Sequence, residues 1–156
     1  MSPYSARTTV QIGENRRAAE PYAQQVLRWT AIVLAVGFAL HAVDHVRRGM
    51  AAATTLVMIG GGTEAVSIAI AVFMVLTRRK WAARAAIFVG FGSALASAYG
   101  HLLPTFLPGY QDSFIPLPHT NVTWFSWVSL AAAMAAGILF GIAGIRAARN
   151  RPSTWD

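Results

Sequence analysis

Four uninterrupted apolar stretches, at about 26–46, 54–77, 82–103 and 122–145, constrain this chain more than any other feature. Each is close to the roughly 20 residues that a helix needs to cross the hydrocarbon layer of a bilayer. Irregular backbone is not tolerated against lipid, so a segment of this kind has to be helical. Charged residues make up 12% of the 156-residue sequence, about half the usual share in a soluble domain. The expected fold is therefore all-α, an integral membrane four-helix bundle spanning 25–149. A polar, disordered tail is expected over 1–24 and a short tail over 150–156.

Tryptophans mark the span ends. Trp29, Trp81, Trp124 and Trp127 all sit at such edges, where amphipathic rings prefer the headgroup region. Of the thirteen basic residues, only Arg47 and Arg48 fall on the side of the first and third connections. The positive-inside rule then puts both termini in the cytoplasm. The net charge of +7 is distributed as span flanks, which argues against nucleic-acid binding. With no cysteine, disulfides and thiolate metal sites are excluded. An alanine- and arginine-rich composition with one lysine suggests a bacterial chain, hence the cytoplasmic membrane. Residues 1–24 have no apolar core and do not read as a cleavable signal peptide.

Polar residues within the spans are costly and mark sites or specific pairings. At about 100° per residue, His41, Asp44, His45 and Arg48 share one arc at the end of span one. His101 borders the small-residue face of span three formed by Ala86, Gly90, Ala94 and Ala98. His119 lies in the long connection 104–121, which carries no lysine or arginine. All four histidines thus collect toward the extracytoplasmic end. Imidazoles spaced i, i+4 can share a zinc, copper, nickel or iron ion. The expected ligands are His41, His45 and His101, with Asp44 as a further ligand or orienting group and His119 as a lid ligand.

The run His41-Ala-Val-Asp44-His45 resembles the His–Asp–His helix motif of nickel/cobalt permeases. Its gap is shorter and the chain has half the usual number of spans, so no membership follows. A b-type haem between His41 and His101 is a second cofactor reading. Glu64 lies about ten residues into span two, roughly 15 Å deep, and is a candidate buried proton carrier toward His41. The non-catalytic alternative is an accessory or assembly subunit of a larger membrane complex, or a homo-oligomer joined through small-residue helix faces. On that reading Asp44 pairs with Arg48, four residues on, and the histidines only bond across helices. The connection 104–121 is either a lid or a packed connector. No phosphate loop, nucleophile elbow or hydrolase motif assigns an enzymatic reaction.

Overall fold

The computed structural model describes residues 3–49, 53–103, 111–115 and 121–150. It is built from four helices: α1 (Pro3–Arg48), α2 (Thr55–Leu76), α3 (Ala82–His101) and α4 (Trp124–Arg149). All four are long and apolar enough to cross a membrane, α1 over Glu20–Arg48. No strand occurs among the described residues. Set beside the expected spans, α2 and α3 differ by at most two residues at either end and α4 ends four residues later, whereas α1 begins well before 26. The largest shift is in α1, whose membrane-suited part begins at Glu20 instead of about 26; α4 continues through a basic last turn carrying Arg146 and Arg149.

The segment expected as a disordered tail is instead helical from Pro3 onward, with Pro21 inside the helix. Composition alone misses this, because a helix nucleates at high cost but extends cheaply from an existing one. Alanine, arginine and glutamine residues before the span are adequate helix formers. The C-terminal tail beyond Asn150, His119 and most of the 104–121 connection lie outside the described residues.

The packing follows from small residues. On α1, Leu27, Ala31, Leu34, His41, Asp44 and Arg48 are buried at i, i+3 and i+4 spacings, one continuous stripe of a 3.6-residue repeat. It lies against α4, where a Cβ added at Gly37 would meet the Ala132 carbonyl at 3.3 Å. α4 also packs on α3 with backbone touching backbone. A Cβ on Gly90 would stand 2.5 Å from the Gly137 carbonyl and 2.6 Å from the Gly141 amide. Close approach of this kind is what small residues permit between membrane helices. α4 is thus the central helix, flanked by α1 and α3.

α2 is peripheral. Its buried residues are Ile68, Ala71 and Val75, all in its second half. A Cβ on Gly60, Gly61 or Gly62 would meet nothing within 4 Å. The turn from α2 to α3 closes through Arg79 N–H to Met74 O (2.9 Å) and Arg78 N–H to Val75 O (3.2 Å). Arg78 has φ +56°, so the pattern is a Schellman motif with arginine in the left-handed position that usually falls to glycine.

Candidate metal centre

The last two turns of α1 and the last turn of α3 end at the same level of the bundle, and segment 111–115 folds back over them. Helix C-termini leave carbonyls without intrahelical partners, and here the returning segment satisfies them. Asp112 N–H donates to Gly100 O (3.0 Å) and Phe114 N–H to His101 O (2.8 Å). Gln111 Nε2 donates to Tyr99 O, and Ser113 Oγ to Leu103 O. The Phe114 ring is fully buried, 4.7 Å from the His101 ring and 5.3 Å from Trp127, centroid to centroid.

Beneath this cap the three imidazoles meet. Ring centroids lie 4.8 Å apart for His41–His45, 4.8 Å for His41–His101 and 5.2 Å for His45–His101. One nitrogen from each falls within 4.8 Å of the others. His101 Nδ1 is 2.9 Å from the Asp112 carbonyl. A carbonyl only accepts, so Nδ1 carries the proton and Nε2 of a neutral ring is left with its lone pair. That Nε2 stands 3.1 Å from His41 Nε2, which therefore donates to it. His41 Nδ1 is then a buried nitrogen with no partner among the described residues.

Charge above the imidazoles is organised by Asp112. Arg48 donates to both of its carboxylate oxygens, Nη1 to Oδ2 and Nη2 to Oδ1, at 2.6 Å each. Both side chains are buried, at 1% and 4% exposure, so neither charge is shared with bulk water. The Phe114 ring sits 5.0 Å from the guanidinium carbon, a cation–π contact. Asp112 Oδ2 also lies 3.7 Å from His45 Nδ1 and 3.8 Å from His101 Nδ1. Those distances are too long for hydrogen bonds but close enough for the carboxylate to act as counter-charge to a cation among the rings.

The expectation for His41, His45 and His101 is met in one respect: they come together as a cluster able to hold a metal ion. Asp44 does not join them. Its Oδ1 accepts from Arg47 Nη2 (2.8 Å), Arg47 Nε (3.1 Å) and Ser126 Oγ (3.0 Å), which turns the carboxylate toward α4. Its ion pair is with Arg47 at i, i+3, and the expected Asp44–Arg48 pair gives way to Arg48–Asp112. Glu64 accepts a hydrogen bond from Ser93 on α3. Among the described residues no hydrogen bond or ion pair links it to a histidine, so the relay from Glu64 to His41 lacks a visible connection.

Asp112, Phe114 and Ser126 were not anticipated. A signal for Asp112 existed, since it is the one carboxylate in a 104–121 connection that has no basic residue, opposite two adjacent arginines. Ser126 gave none, being one polar residue in the opening turn of α4. There it accepts from Thr123 N–H (3.2 Å) as well as bonding Asp44.

The molecule is thus defined as an all-helical protein whose four helices suit a membrane and whose three clustered histidines can hold a metal ion. No protein-family model, curated protein or solved structure matches this chain.

Proposed function

We propose that this is a multi-pass protein of a bacterial cytoplasmic membrane, with both termini inside, that binds a transition metal ion near its outer face. Zinc, copper, nickel or iron would be held by His41, His45 and His101. The observation that carries this is the pinned His101 ring. A metal-binding imidazole almost always donates its other N–H to a carbonyl or carboxylate, and His101 does so to Asp112. Nitrogens bound to one tetrahedral ion at 2.0–2.1 Å lie roughly 3.3 Å apart. The 3.1 Å between His41 and His101 is close to that span. The same distance leaves no room for a porphyrin between the two nitrogens, so a bare ion is favoured over haem b.

Three protein ligands leave a fourth position open, as in sites that exchange a ligand or act on one. That suits a protein that receives an ion and passes it on. Asp112 supplies the nearest negative charge, and Arg48 holds Asp112 in place. The test is elemental analysis and visible absorption of protein purified after growth in metal-supplemented medium. One ion per chain is expected, without a Soret band. Protein that remains metal-free after incubation with each of the four ions would end this reading.

A second reading, an accessory subunit of a larger membrane complex, draws on α2. Its outer half offers Gly60, Gly61 and Gly62 with open space above them, a surface onto which another membrane helix can pack. Stoichiometric co-purification of a partner, together with absence of metal, would favour it.

A further inference from the structure

At the far end of the bundle from the histidines, α1 and the α2–α3 turn enclose a cleft of about 990 Å³. Its lining includes Arg28, Trp29, Ile32, Leu76, Arg78 and Arg79. Lys80 also contributes, giving four cations against a single carboxylate, Glu20. The cleft is graded along its length. Ile32 and Leu76 lie within the apolar parts of α1 and α2, whereas Arg78, Arg79 and Lys80 belong to the connecting turn. Ala82, the first residue of α3, lines the same cleft, so the positive end of that helix dipole adds to the cations.

We infer that this cleft is a binding site for an anionic phospholipid of the inner leaflet, with the phosphodiester among Arg28, Arg78 and Arg79 and the first acyl carbons against Ile32 and Leu76. A free phosphate would use only the basic rim, and a zwitterionic lipid would bring its own ammonium against a surplus of cations. Basic pockets between membrane helices on the cytoplasmic side are suited to such headgroups.

Two details separate a site from a mere topology signal. Arg28 Nη2 donates to Leu76 O at 3.2 Å, so a free carbonyl at the end of α2 holds this guanidinium over the cleft with its other N–H groups available. Arg78 occupies the left-handed position of the Schellman turn at φ +56°. Glycine would adopt that conformation without strain, whereas a positive-inside requirement could be met by arginine at any nearby position. Strain kept at one residue is a pointer to a role for its side chain. Arg84 is the natural control. It stacks 4.5 Å over Trp81 and does not line the cleft.

The experiment uses the full chain in neutral detergent and follows thermal unfolding on titration with three additives: phosphatidylglycerol, phosphatidylcholine with the same acyl chains, and inorganic phosphate. Phosphatidylglycerol should raise the midpoint saturably, and the other two should not. Arg78→Gly should keep or raise the basal midpoint while weakening phosphatidylglycerol binding about fivefold, the contribution of one basic residue at a charged lipid surface. Arg28→Gln and Arg79→Gln should each weaken it by a similar factor, and Arg84→Gln should leave it unchanged. An equal response to phosphatidylcholine overturns the inference, as does inorganic phosphate reproducing the whole shift. So does a loss in Arg84→Gln matching that in Arg78→Gly, because the effect would then be one of net charge. Undiminished binding in all three cleft variants overturns it as well. Metal content is not read in any arm, so the outcome is independent of the histidine site.

Discussion

α2 and α4 are both apolar enough to cross a membrane, yet half of the most apolar window of α4 is buried inside the protein, against 11% for α2. Each carries three glycines. Those of α4 (Gly137, Gly141 and Gly144) meet α3 backbone or side chains at under 3 Å from a built Cβ, whereas those of α2 meet nothing. Hydropathy therefore identifies a helix that belongs in lipid without saying whether lipid or protein covers it. In this molecule the division also sets the candidate site apart. The histidine cluster, Asp44 and Asp112 and their arginines reside on α1, α3 and the 111–115 segment, braced by α4, while α2 contributes Glu64 at the margin.

The sharpest way to break that division is to remove ligands on one side of it and the deep carboxyl on the other. His41→Ala and His101→Ala should each abolish stoichiometric metal binding, a loss of more than about 100-fold, since orienting partners alone account for 10–100-fold. Glu64→Gln should retain the ion in full. Elemental analysis with circular dichroism to verify folding distinguishes the outcomes. Metal loss in Glu64→Gln would draw α2 into the site, and metal retention in His101→Ala would remove α3 from it. Because protons compete with metal for imidazole nitrogen, acidification should release the ion.

Next in size is the buried ion pair. Asp112→Asn leaves the Arg48 guanidinium buried without its counter-ion, which costs about 3–5 kcal/mol. The Arg48→Met/Asp112→Asn double variant should recover most of that stability, because removing both charges removes the need for pairing. Metal affinity should fall in both, because the carboxylate 3.7 Å from His45 and 3.8 Å from His101 is lost as counter-charge, while the backbone carbonyl that orients His101 remains. Equal stability of wild type and Asp112→Asn would mean that the pair is solvated and the cap is open.

The same contrast explains how far the sequence could be read. The spans, the shared face of His41 and His45 and the inward placement of His101 follow from periodicity, because helix geometry maps spacing onto direction. Asp112 could not be reached that way. Its partner Arg48 is 64 residues distant, and a nearer carboxylate, Asp44, offered itself at i, i+4. Only the return of segment 111–115 to the open carbonyls of α3 brings Asp112 to the arginine, and a loop has no period to reveal such a return. The helical state of the residues before the first span is likewise an effect of propagation from a neighbour, invisible to composition.

Glycine substitutions give the smallest effects and test the packing half of the comparison directly. Gly90→Ala must push α3 from α4, since the atoms in its way are backbone at 2.5 and 2.6 Å and cannot rotate aside. Overpacking of this kind costs about 1–3 kcal/mol. Gly61→Ala meets no atom and replaces a poor helix former with the best one, so the isolated chain in detergent should be unchanged or stabilised by up to about 1 kcal/mol. Thermal unfolding of the two variants side by side reads the difference. If Gly61→Ala is neutral in detergent but strips an associated helix or a second copy from protein extracted gently from membranes, α2 has a partner in the bilayer and its glycines serve the close approach that those of α4 serve within the chain. If it changes neither stability nor association, the first half of α2 faces lipid, and the accessory-subunit reading loses the observation on which it rests.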